Sequence, residues 1–275
     1  MTQTENKIKP FLRWAGGKQK QLKQISPYFP KEDTVNKYFE PFIGGGTLFL
    51  NKNFDKSYIS DVNKHLINTY EKIKKNPGRI FKGIQLKNGK ISEAEYYKIR
   101  EDFNKNKYSY TYKQASNFIL LNKSSFNGVF RVNRKGEYNV PFGKSNPSLP
   151  TVNDLLNISK KLETTEIQSH TFERINGMVE EEDLVYLDPP YPPISETAFF
   201  QHYTKKRFHL NEQEKVFLLF ENLANQNVRT ILSYPDLPLI RKTYEDFNII
   251  ELSTYRSIRS KGKTTKINEL VIRNF

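Results

Sequence analysis

The sequence contains no cysteine. Disulfides, thiolate nucleophiles and cysteine-ligated metals are excluded by that alone. Histidine is scarce: His65, His170, His202 and His209 are the only four, and none shows HxxxH spacing. No catalytic metal is expected. No apolar run approaches membrane-spanning length, and residues 1–10 are polar with no signal-like apolar core. The expectation is a soluble, cytoplasmic protein with no membrane partner. Acid is in deficit: 44 Lys+Arg stand against 30 Asp+Glu in 275 residues, a net charge of +14. A folded protein this basic favours a polyanionic partner. A chain rich in Lys and Asn throughout would reach the same charge by compositional bias. Hydrophobic residues at 36% and aromatics at 13% suffice for a substantial core.

What is present centres on Asp188-Pro189-Pro190-Tyr191. The apolar run 184–187 before it reads as a short buried strand. The prolines end any ladder, because proline donates no backbone hydrogen bond. A carboxylate, carbonyls freed from pairing and an aromatic ring then stand together at a strand's carboxyl end, where open α/β sheets hold ligands. The combination suits a flat amino group such as a nucleobase edge. A turn with an N-cap Asp would read the same way.

Upstream, Arg13-Trp14-Ala15-Gly16-Gly17-Lys18 pairs glycines with a lysine beside the only tryptophan, ahead of an expected helix over 19–28. Residues 38–50 run from apolar strand through Gly44-Gly45-Gly46 to an apolar helix, the pattern of a cofactor loop without GxGxxG spacing. No GKS or GKT follows, so this is not a P-loop. A second strand, 58–60, ends at Asp61, where a ribose hydroxyl pair is usually held. Asp61 could equally cap a helix over 62–75. From 63 to about 162 the pattern is helical, with a capping box at Ser92–Glu95 and a helix over 115–121. Within it, 130–132 and 137–140 alternate around Arg134-Lys135-Gly136, which reads as a basic hairpin able to enter a major groove or simply to face solvent. A helix over 152–162 and a strand over 165–168 follow. Asn211–Glu214 is expected to cap a helix over 216–223. Strands are expected over 228–232, 247–252 and 268–272. The basic run Arg256, Arg259, Lys261, Lys263, Lys266 reads as a loop, solvated or facing phosphate. Strands and helices alternate at both ends around one long insertion, so an interrupted α/β domain is the economical layout.

Four blocks in this order (11–18; 38–51 with Asp61; 127–143; 188–191 with the region 193–197) resemble the Dam-type DNA adenine methyltransferases of the α group. The likeness is to members that methylate GATC. The resemblance implies a Rossmann-like α/β methyltransferase domain, residues 1–62 and 163–275, with an inserted helical target-recognition domain, 63–162, carrying a β-hairpin at about 126–143. It implies S-adenosylmethionine as methyl donor and S-adenosylhomocysteine as product, with no metal. The donor would be held by Trp14, Lys18, Gly44, Gly45, Gly46, Asp61 and Phe172, with Asp188 beside it. Asp188, Pro189 and Tyr191 would be catalytic. Duplex DNA would meet Arg13, Phe126, Asn127, Val129, Arg131, Asn139, Pro141, Lys144, Arg259 and Lys263, with Arg131 on a guanine and Arg13 at the outer base pair. After Gly143 family members often carry Arg-Tyr, where this chain has Lys144-Ser145. A monomer associated with the nucleoid, in some cases paired with a restriction endonuclease, is the implied setting. The competing reading is an N-methyltransferase acting on RNA or on a protein amide nitrogen.

Overall fold

The computed structural model describes residues 7–86, 90–143, 148–191, 207–260 and 263–275, with backbone alone at 207–211, 254–260 and 263–267. The fold is mixed α/β. In chain order come α1 (Leu22–Ile25), β1 (Tyr38–Glu40), α2 (Thr47–Leu50), β2 (Ser57–Ser60), α3 (Lys64–Lys75), α4 (Pro77–Ile84), α5 (Glu93–Lys105) and α6 (Tyr112–Ser124). They are followed by α7 (Val152–Leu162), β3 (Thr165–Gln168), β4 (Leu184–Leu187), α8 (Arg207–Asn225), β5 (Arg229–Pro235), α9 (Pro238–Thr243), β6 (Asn248–Ser260) and β7 (Lys263–Arg273). The seven strands form one sheet in the order β3-β2-β1-β4-β5-β7-β6. Strands β2, β1, β4 and β5 pair in parallel, and β7 runs antiparallel between β5 and β6.

Contacts divide the chain into two compact units. The first comprises residues up to 19 with 43–53 and 60–169. Its helices are built on local rules. Asn63 caps α3 by accepting from the backbone N–H groups of His65 and Leu66, and the capping box at Ser92 and Glu95 starts α5 as expected. Helix α6 is buried nearly all round. The second unit comprises 20–42, 54–59 and 170–275. Its core packs Phe39, Val185, Leu187, Leu232 and Leu270 from the strands against Leu219, Phe220 and Leu223 of α8. Strands β1 and β4 are wholly buried, which explains why they read as apolar runs without alternation.

Several expectations are corrected. The helix expected over 19–28 is one turn of α-helix followed by a 3-10 turn at Ser26–Tyr28, since Pro27 supplies no amide hydrogen to continue the ladder. Helix α3 starts at Lys64 under Asn63, so Asp61 is not its cap. Helix α8 begins at Arg207 and carries Asn211–Glu214 inside it rather than as a cap. At four of its positions the basic run is strand rather than loop: Arg256 and Arg259 lie on β6, and Lys263 and Lys266 on β7, of a long antiparallel pair, while Lys261 lies outside the described residues.

The stretch at 126–143 folds back on itself without continuous strands: antiparallel bridges join Ser125 with Phe142 and Val132 with Tyr138, and the Asn133 and Asn139 N–H groups donate to the Glu137 and Arg131 carbonyls at 2.9 and 3.2 Å. The turn closes through the Gly136 N–H donating to the Asn133 carbonyl at 2.9 Å, with Gly136 at φ 72°. Pro141 donates nothing to a ladder. Helix α5 braces the segment from the side: Asn104 exchanges two hydrogen bonds with the Tyr138 backbone, and the Tyr96 hydroxyl donates to the Val140 carbonyl at 2.8 Å.

Candidate active site and DNA-reading face

In the first unit the chain leaves the glycine bend with Gly44 at φ 44° and Gly46 at φ 66°, a region open to glycine at little cost. A Cβ on Gly44 would lie 2.6 Å from the Trp14 indole, and one on Gly46 2.6 Å from the Tyr70 hydroxyl. The Tyr70 hydroxyl donates to the Gly44 carbonyl at 3.0 Å. The chain's own packing therefore already requires glycine at 44 and 46. Asp61, the residue after β2, accepts from the Gly44 N–H at 3.3 Å through Oδ2 and from the Asn63 N–H at 2.9 Å through Oδ1. Burial pushes its carboxyl pKa up, against the lowering effect of these amides. Trp14, Gly44–Gly46 and Asp61 are thus brought together. Lys18 is buried and donates to the Gly16 carbonyl at 3.3 Å.

The same unit carries the expected DNA contacts. Arg13, Phe126, Asn127, Val129, Arg131 and Pro141 are exposed. The Arg131 guanidinium is held by Asn139, donating through Nε to Oδ1 at 2.8 Å and through Nη2 to the backbone carbonyl at 3.3 Å. Asn139 thereby orients Arg131, a relation the eight-residue spacing did not disclose. Lys123 is half-buried at the end of α6; burial, then the charge of Arg13, lowers its ammonium pKa to about 8. Lys144, the region 193–197 and the side chains of Arg259 and Lys263 lie outside the described residues.

In the second unit, Asp188 stands where β4 ends, half-buried, with Pro189 buried. The Tyr191 hydroxyl lies 3.4 Å from Asp188 Oδ1 and donates to the Glu269 carboxylate. The Tyr191 ring packs at 5.5 Å from that of Tyr234. Glu269 on β7 is buried, as is Glu40 at the end of β1, which accepts from the Tyr38 hydroxyl at 2.6 Å. Burial first, then the charge of Asp188, holds the Tyr191 phenol well above its usual pKa, so it acts as a neutral donor. Sequence reading missed Glu40 and Glu269. Glu40 carried a usable signal, since it immediately precedes Pro41 and the glycine bend. Glu269, far along the chain, carried none. Phe172 is buried and packs on Phe42 with ring centroids 5.0 Å apart. Next to it, the Tyr58 hydroxyl bonds His170 Nε2, while Nδ1 faces the Thr171 carbonyl at 2.8 Å.

The donor set fits a nucleoside-type methyl donor. A half-buried carboxylate anchored by backbone amides offers acceptors for a hydroxyl pair, beside an indole and a glycine bend. A mixed α/β fold with this seven-stranded sheet, glycine bend and acidic strand end is consistent with the class of α/β methyltransferases. The D12 class N6 adenine-specific DNA methyltransferase family matches residues 14–258. Among curated relatives, the type II methyltransferase M.MjaIII of Methanocaldococcus jannaschii is 38% identical over 98% of this chain and 99% of its own. The type II methyltransferase M1.LlaDCHI of Lactococcus lactis subsp. cremoris is 34% identical over 98% of both chains. The DNA adenine methylase of Escherichia coli K12 is 32% identical over 96% of this chain and 95% of its own. This chain belongs to the D12 class of N6 adenine-specific DNA methyltransferases. Membership sets aside the RNA and protein amide alternative and implies S-adenosylmethionine as donor. No helix among the described residues is long and apolar enough to cross a membrane.

Proposed function

We propose that this enzyme methylates N6 of an adenine flipped out of duplex DNA, at GATC. The observation carrying the reading is the tetrapeptide Asp188–Tyr191 at the end of buried β4. The adenine amino nitrogen is a poor nucleophile, because its lone pair is delocalised into the ring, and it is stacked inside the duplex, so extrusion at a few kcal/mol precedes chemistry. Asp188 accepts one amino hydrogen and the Pro189 carbonyl the other. Held this way, the nitrogen turns toward tetrahedral geometry with its lone pair outside the ring plane. Tyr191 covers the face of the extruded base. S-adenosylmethionine, when bound, supplies an electrophilic methyl group on sulfonium sulfur. The chain's contribution is placement and a preorganised negative end, not a covalent link.

Asp61 takes the ribose hydroxyls of the donor, Trp14 and Lys18 flank it, Gly44–Gly46 lie under its methionine part, and Phe172 meets its adenine. Residues 1–62 and 163–275 act as the catalytic domain and 63–162 as the target-recognition domain. Arg131 reads a guanine, a contact that discriminates by about 1–3 kcal/mol. Val129 and Pro141 touch base edges, Phe126 and Asn127 approach the gap left by the adenine, and Arg13 meets the outer pair. Lys144, Arg259 and Lys263 add charge for the DNA, so affinity falls steeply with salt. The protein works as a monomer in the cytoplasm, bound to the nucleoid, in some settings beside a restriction endonuclease. The test is direct: DNA from a host expressing the chain is read for N6-methyladenine by long-read sequencing. Methylation confined to GATC is expected; a different site overturns the specificity, and no adenine mark overturns the reading.

A further inference from the structure

Asn122, in the last turn of α6, is 1% exposed and joins two stretches far apart in sequence. Its Oδ1 accepts from the Arg13 backbone N–H at 2.8 Å. Its Nδ2 donates to the Arg13 carbonyl and to the Gly128 carbonyl, each at 2.9 Å. One amide thus clasps both polar groups of the Arg13 backbone and fastens them to the loop at 128. Gly128 reinforces the joint. It sits at φ +63°, and a Cβ there would lie 2.5 Å from Arg13 Cβ, so loop and N-terminal segment are in van der Waals contact. A buried amide with its donors and acceptor engaged fixes geometry strongly, because each lost bond leaves a buried partner unsatisfied.

The two stretches share one property. Arg13 is exposed on the first, and Phe126, Asn127, Val129 and Arg131 are exposed on the second. At the joint Lys123 feels the charge of Arg13, only partly offset by Asp154; a polyanion would relieve that repulsion further.

We infer that Asn122 is a specificity-positioning residue. It locks the Arg13 backbone to the recognition loop at Gly128, so that outer and inner base pairs are read by one rigid template. The inference rests on the proposed reading of DNA by Arg13 and the loop. It is tested by tritiated-methyl transfer to duplexes carrying GATC and duplexes with the outer pair substituted, comparing kcat/KM ratios. Asn122→Ala is expected to lower the discrimination ratio about tenfold. In an Arg13→Ala background it is expected to change the ratio less than twofold, because no side chain is left to misplace. Gly128→Ala, which pushes on Arg13 without removing the amide, is expected to lower the ratio too and serves if Asn122→Ala fails to fold. A merely structural role would lower kcat/KM on all duplexes alike and leave the ratio intact, which overturns the inference. If Arg13→Ala itself keeps full discrimination, the reading of the outer pair falls and the inference with it. If Arg13→Ala loses discrimination while Asn122→Ala and Gly128→Ala keep it, the inference alone falls.

Discussion

Asp61 and Asp188 both follow a parallel strand, β2 and β4, and both are half-buried, yet the protein holds them by different means. Asp61 is gripped by two backbone N–H groups, from Gly44 and Asn63. Asp188 has the hydroxyl of Tyr191 at 3.4 Å, and that hydroxyl also serves Glu269. Backbone amides hold a carboxylate in one orientation with no rotamer freedom, which suits an acceptor for a bound hydroxyl pair. The Tyr191 hydroxyl, shared with Glu269, instead links Asp188 to strand β7. The comparison teaches that carboxylates at two strand ends can be tied to different parts of a fold, one to main-chain amides and the other, through a tyrosine hydroxyl, to a buried glutamate.

The largest effect separating the two should come from Asp188→Ala. Methyl transfer is expected to fall at least about a thousandfold, as for loss of a preorganised electrostatic group, while duplex affinity by fluorescence anisotropy stays within a few-fold. Turnover near that of the unaltered enzyme would dissolve the contrast. Asp61→Ala should act on binding: the dissociation constant for S-adenosylhomocysteine by calorimetry is expected to rise about 10–100-fold, the worth of hydrogen bonds to a charged group, with a smaller fall in kcat at saturating donor. An Asp61→Ala enzyme with normal product affinity would show that the amide-held carboxylate does not bind the donor.

Glu269→Ala sharpens the Asp188 side. It removes the carboxylate that accepts from the Tyr191 hydroxyl, at a cost of about 1–3 kcal/mol in stability, measured by urea unfolding, and Glu269→Gln is expected to restore most of it. The smallest effect concerns an ionisable group held by neither amides nor hydroxyls. His65 lies among the rings of Phe103, Tyr110, Phe118 and Phe130, and burial lowers its pKa to about 4. The unfolded chain protonates near 6.5, so stability is full above that pH and declines as pH falls toward 4. Partial exposure of the ring reduces the effect to about 1 kcal/mol. His65→Phe should flatten the decline.

The helices Val152–Leu162 and Glu93–Lys105 were legible because caps and 3.6-residue periodicity are local. The bend at Gly44–Gly46 and the acid at 188 were legible because glycine and proline act on their own backbone. The fold-back at 126–143 was legible in its turn at Gly136, but not its brace by Asn104 and Tyr96 of α5, which no local pattern marks. The capped start expected at Asn211 failed because a polar run inside a long helix and a cap have the same composition.

Taken by itself, the order of residues determined the α/β class, the position of the strand ends and the chemistry of the side chains placed there, since these follow from turn geometry, periodicity and proton affinity over a few residues. Only the tertiary structure decided that Glu269 meets Tyr191, that Asn139 orients Arg131 and that Asn122 ties Arg13 to Gly128. Two of those links, Glu269 to Tyr191 and Asn122 to Arg13, span much of the chain, and even the short ones depend on separation in space, which packing of the surrounding fold sets.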